Sequence, residues 1–149
     1  MTMMPSNYQH VLIPVDNSEP AEVAFNEAVN IAARHQAKLT ILYVVDDRAY
    51  HTPAMDPLLT ELLDAEATHA AAAMRDRRTF VETTTVPALQ TEVAYGDPKR
   101  TIIDYASQHP EIDLIVLGAT GKDSPHRVAV GSTTSYVVDQ APCNVIVIR

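Results

Sequence analysis

The sequence has one cysteine, four glycines and only 11 lysines and arginines to set against 19 acidic residues. Each shortage excludes something. Cys143 alone cannot form an intramolecular disulfide or a multi-cysteine metal site, and it suits a reducing cytosol. The six histidines never recur at i,i+3 or i,i+4, so no helical metal-ligand pair is expected. A formal net charge of −8 argues against nucleic acid or an anionic membrane as a main partner, because both need clustered cations. No uncharged apolar run approaches the roughly 18 residues of a membrane span. Met1-Thr2-Met3-Met4-Pro5 has neither the basic start nor the apolar stretch of a signal peptide. A soluble, cytoplasmic protein is expected. Its 149 residues, 46% of them hydrophobic, suit one domain over 1–149, which buries roughly 70% of its unfolded surface without a staple.

What is present is an alternation. His10-Val11-Leu12-Ile13-Pro14-Val15, Lys38 to Val45, Ile112 to Leu117 and Asn144 to Arg149 are nearly continuous apolar, β-branched runs. Strands buried on both faces of a parallel sheet read this way. Leu89 to Tyr95 alternates more and reads as an edge strand. Tyr43 and Tyr95 fit core positions near strand ends. Between the runs lie helical patterns. Ser18 caps one that carries Ala21, Ala24, Phe25, Ala28, Val29, Ile31 and Ala32. A second starts near Asp56-Pro57 and runs through Ala73, and Arg75, Arg77 and Arg78 read as its solvated end. Asp97-Pro98 supplies cap and first turn for a third, and a fourth fits between Gly131 and Pro142. The order β-α-β-α-β-α-β-α-β predicts an α/β fold, a single-domain, doubly wound, five-stranded parallel sheet with helices on both faces.

Three of the four glycines fall in one segment, Gly118-Ala119-Thr120-Gly121-Lys122-Asp123-Ser124-Pro125-His126-Arg127-Val128-Ala129-Val130-Gly131-Ser132-Thr133-Thr134. It follows the fourth strand, and in such sheets ligands bind beyond the carboxyl ends of the strands. Gly118 is expected to turn the chain at positive φ, and Gly121 to let backbone N–H groups approach a ligand. Gly131 opens a helix whose first turn is Ser132-Thr133-Thr134, an anion site of unpaired N–H groups and hydroxyls. Lys122 and Arg127 place two cations in the same loop. The pattern reads as a cradle for a polyphosphate. It is neither a P-loop, which needs Gly-x4-Gly-Lys-Ser/Thr, nor the Gly-x-Gly-x2-Gly that follows the first strand of a dinucleotide fold. Asp46-Asp47 reads as an exposed loop end rather than a Mg²⁺ site, His126 as a solvated loop residue, and Cys143 as an inert thiol before the last strand.

Gly118-x2-Gly121-x9-Gly131-Ser132 resembles the nucleotide signature of the universal stress protein family, Gly-x2-Gly-x9-Gly-Ser/Thr. The resemblance covers almost the whole chain. It includes Val11 to Ser18, Leu42 to Asp46, Gly96-Asp97-Pro98 and the closing Pro142-Cys143-Asn144-Val145-Ile146-Val147. It implies a Rossmann-like fold of the adenine nucleotide alpha hydrolase kind and, from the ATP-binding branch, ATP as ligand, with or without Mg²⁺. Pro14, Val15 and Asp16 would line base and ribose, and Val44 would meet the adenine through its backbone. Gly118, Gly121, Gly131, Ser132, Thr133 and Thr134 would hold ribose and phosphates. Asn17 stands where the family usually has glycine. Ala119-Thr120 replaces a commoner pair that includes a cation.

The implied function is an ATP-binding stress-response or signalling module acting on an unidentified protein partner, rather than a fast enzyme. A slow ATPase and a protein-interaction module without nucleotide are the alternatives. Nucleotidyl transfer lacks its His-x-Gly-His, and a phosphoacceptor receiver lacks its acids and lysine. The last strand, Asn144 to Ile148, is apolar on both faces; if it lies at an edge, pairing across a two-fold axis covers it. The resemblance implies the same homodimer.

Overall fold

A computed structural model describes residues 7–16, 18–50, 57–120 and 130–149. The elements run in the expected order: β1 (His10–Val15), α1 (Glu19–His35), β2 (Lys38–Val45), a 3-10 turn (Arg48–Tyr50), α2 (Pro57–Glu82), β3 (Ala88–Tyr95), α3 (Pro98–Gln108), β4 (Leu114–Gly118), α4 (Ser132–Gln140) and β5 (Asn144–Ile148). All strands are parallel in the order β3-β2-β1-β4-β5. β3 is therefore an edge, as its alternation suggested, and β5 is the other. β1 lies at the centre with all six residues buried.

The period-2 geometry of the strands sends successive side chains to opposite faces. Val11, Ile13 and Val15 join Phe25, Ala28 and Val29 of α1 and Met74 of α2 in one core. Leu12, Leu42 and Ile115 meet Ile102 and Tyr105 of α3 and Val137 of α4 in the other. Each fully buried Leu, Ile or Phe contributes about 1.5–3 kcal/mol, so the central strand supports both layers. Ser18 caps α1, its Oγ accepting the Ala21 N–H at 3.2 Å. Asp113, on the turn before β4, accepts the N–H groups of Gln9 and His10 at 2.9 and 3.0 Å and fixes where β1 begins. Strand four consequently starts at Leu114, two residues beyond the apolar Ile112.

Two sequence expectations need correction. α2 runs on to Glu82, and Arg77 is not at a solvated end. Its side chain is 11% exposed, bonded to Glu22 Oε2 at 2.9 Å and stacked 5.4 Å above the Phe25 ring. Arg78 donates to Thr91 of β3 at 2.7 Å. Both arginines therefore sit where α2 packs on α1 and the sheet. Tyr43 is buried as expected, but Tyr95 is 48% exposed, because the edge strand ends there with nothing beyond it. Cys143 is half-buried against the second core, and burial pushes its thiol pKa up.

His10 is buried at the amino end of β1, its Nε2 2.7 Å from the Thr40 hydroxyl. Burial, and then the charge of Lys38, lowers its pKa from the usual 6.5. The unfolded chain thus binds this proton more readily than the folded one. The sign follows: stability is retained above about pH 6.5 and is lost as pH falls from there towards the depressed folded value. Urea unfolding at pH 7 and pH 5.5 is expected to show a larger drop in the wild type than in His10→Gln. Equal drops would show that His10 contributes nothing to acid sensitivity.

Candidate functional site

A cleft of about 240 Å³ opens at the carboxyl ends of the strands, where the order turns from β2 through β1 to β4. One wall is the end of β1, with Pro14, Val15 and Asp16, beside Val44 of β2. The other is Gly118 at the end of β4 with Gly131, Ser132, Thr133 and Thr134 at the start of α4. Nine of the twelve sequence-proposed site residues thus line one cavity. Gly121, Lys122 and Arg127 lie outside the described residues, as does Asn17.

Local structure explains each placement. The β1–β2 ladder ends at the pair Val15–Tyr43. The Val45 carbonyl accepts the Gly96 N–H at 3.0 Å, so Val45 faces β3. Backbone polar groups alternate in direction along a strand, so the Val44 carbonyl faces the side on which β1 has already ended. Asp16 Oδ1 accepts the Ser18 N–H at 2.9 Å and shapes the turn into α1. At α4, Gly131 is the N-cap and offers no side chain to cap with. The first helical bond is Ser135 N–H to Gly131 O at 2.9 Å, which leaves the N–H groups of Ser132, Thr133 and Thr134 without helix partners. These donors and the positive end of the helix face the cleft.

Gly118 is the one site glycine whose reason differs from expectation. It closes a strand and is not at positive φ; Gly96 is the only described glycine that is, at φ 143°. Gly118 is needed for close packing instead. A Cβ there would lie 2.9 Å from the Pro20 carbonyl oxygen of α1. Thr134 also differs. It is buried, and its hydroxyl donates to the Gly118 carbonyl at 2.7 Å, tying α4 to β4.

Sequence reasoning missed Arg48, Lys99 and Ile102, and gave Asp97 only a capping role; all four line the cavity. Asp97 is the N-cap of α3 but makes no side-chain cap bond. Its carboxylate lies 3.6 Å from Arg48 Nη1. Arg48 also grips Asp46 with two bonds, Nε to Oδ1 at 2.9 Å and Nη2 to Oδ2 at 2.7 Å. Asp46 is accordingly an arginine partner and not merely an exposed loop end. The available signal was positional: Arg48 follows β2 and Lys99 follows β3, and both strands end at the cleft.

Two substitutions test this packing. Gly118→Ala is expected to cost about 1–3 kcal/mol, because a backbone carbonyl has to move. Thr134→Val leaves the Gly118 carbonyl short of a donor and is expected to cost about 1–2 kcal/mol. Chemical denaturation measures both, and values near zero would show that neither contact holds the cleft together.

The family model "Universal stress protein family" matches residues 7–149. A universal stress protein sequence of Staphylococcus haemolyticus (strain JCSC1435) is 35% identical over 147 residues, covering 95% of this chain and 85% of that one. The structure of universal stress protein UspA from Lactobacillus plantarum is 72% identical, with a TM-score of 0.92 over 97% of this chain and 100% of that one. Two further structures share the fold at TM-score 0.69. One is a universal stress protein in complex with cAMP, 20% identical over 97% and 98% of the two chains. The other is the Archaeoglobus fulgidus universal stress protein in complex with dAMP, 16% identical over 95% and 98%. With a central-strand cleft, a glycine-capped α4 and a family match over nearly its full length, the chain belongs to the universal stress protein family.

Proposed function

We propose that this universal stress protein binds an adenine nucleotide, ATP first among them, and serves as a nucleotide-dependent signalling module rather than a fast enzyme. The observation that carries the reading is the pairing of two features in one cleft. Three N–H groups at the start of α4 without partners among the described residues suit phosphate oxygens, and the outward Val44 carbonyl suits an exocyclic amine. The cAMP and dAMP complexes of the fold relatives are consistent with an adenine at such a site. In this reading Pro14, Val15 and Asp16 hold base and ribose. Gly121, Gly131, Ser132 and Thr133 hold the phosphates, with Lys122 and Arg127 as their cations. Mg²⁺ would enter on the phosphates rather than through Asp46, whose two oxygens Arg48 engages.

Holding fits better than turnover. Hydrolysis needs a base to orient and deprotonate water. Of the described carboxylates lining the cleft, Asp16 accepts the Ser18 N–H, and Asp46 and Asp97 pair with Arg48. Calorimetric titration of ATP is expected to give saturable 1:1 binding. Gly121→Val, or Ser132→Ala with Thr133→Ala, should weaken it at least about tenfold, the worth of one or two hydrogen bonds to charged oxygens. Equal absence of binding in wild type and variants would end this reading. Mass spectrometry of ligand released from heat-denatured protein would identify the natural nucleotide.

The reading extends to assembly. β5 is a sheet edge whose Val145, Ile146, Val147 and Ile148 are only partly buried. Pairing Asn144 to Ile148 with a second copy across a two-fold axis would cover them. Sedimentation at tens of micromolar is expected to give a dimer, and a monomer there would remove this part of the proposal.

A further inference from the structure

Five charged residues among those described line the cleft: Asp16, Asp46, Asp97, Arg48 and Lys99. The two cations are held very differently. Arg48 bridges two carboxylates. Lys99, in the first turn of α3, makes no ion pair with any carboxylate among the described residues; Asp97 turns to Arg48 and Arg100 instead. The Lys99 ammonium sits 5.7 Å from the centre of the Tyr136 ring on α4. Tyr136 follows Ser132 by four residues and Thr133 by three, which puts all three on one helical face. The residue under the ammonium is therefore one helical turn from the residues that open α4, and Lys99 lines the same cavity as they do. A lysine over a partly exposed ring is weakly held, and its long stem lets it move to a stronger anionic partner.

We infer that Lys99 is a phosphate-contacting residue that makes the affinity of this cleft depend on the number of phosphate charges the nucleotide carries. The inference rests on the nucleotide reading above and assigns α3 a role in it. Bound nucleotide would draw the ammonium off the Tyr136 ring towards the phosphates. α3 would then contribute a charge to a site otherwise built from the ends of β1, β2 and β4 and the start of α4. Lysine suits this task, because as a mobile point charge it can follow phosphates of different number and position.

The test titrates ATP, AMP and adenosine into wild type, Lys99→Met and Lys99→Arg in Mg²⁺-free buffer, with melting curves to confirm folding. Lys99→Met is expected to weaken ATP about tenfold while leaving adenosine within about twofold, and Lys99→Arg should recover most of the ATP affinity. The ATP affinity of Lys99→Met should also fall less steeply with added salt, as one cation has been removed. Lys99→Gln is the substitute if the methionine variant does not fold. Equal loss for ATP and adenosine, or no loss for ATP, would overturn the inference while leaving nucleotide binding intact. Wild type that binds none of the three would instead overturn the nucleotide reading, and this inference with it.

Discussion

Three hydrogen bonds at the carboxyl end of β4 set the geometry on which the cleft depends. The Ala119 N–H reaches the Ile148 carbonyl at 2.8 Å, the Gly131 N–H reaches the Ala119 carbonyl at 2.8 Å, and the Thr134 hydroxyl reaches the Gly118 carbonyl at 2.7 Å. Together they join the end of the sheet to the first turn of α4. They also fix the direction of α4 and so where its first N–H groups point. The described walls of the cavity are thus tied to one another through the end of β4.

Most of the fold was legible in the residues. Continuous β-branched runs identified β1, β2, β4 and β5, the alternation of Leu89 to Tyr95 identified an edge, and Ser18 marked the start of α1. What could not be read was tertiary. Arg77 looks like a surface residue because its neighbours Arg75, Asp76 and Arg78 are charged. Only the packing of α2 on Glu22 and Phe25 makes it an interior one. Ile112 is apolar and buried, yet it lies on a turn because Asp113 is needed at the start of β1. Pro14, Val15 and Asp16 and the described ends of the glycine segment line one cavity. Arg48 and Lys99 could not be placed there without the strand order, since nothing local says which helix starts face β1.

Charge tells a similar story at two scales. Over the whole chain the excess is acidic, which repels polyanionic surfaces. Among the described residues of the cleft three acids and two bases are arranged so that an arginine neutralises two of the acids. A small anion entering the cavity therefore meets backbone donors and a lysine rather than the average potential of the surface. Net charge describes encounter with large partners; the local arrangement decides the small ones.

The close approach of Gly118 to the Pro20 carbonyl bears on how the glycine spacing itself should be interpreted. The motif is not explained by a ligand alone. Its first glycine is demanded by α1 resting on the end of β4, a requirement that persists whether or not anything occupies the cavity. A descendant of this chain could lose Gly121 and the hydroxyls of Ser132 and Thr133, and still be unable to replace Gly118. Retention of that one position reports an intact helix–strand joint and carries no information about binding.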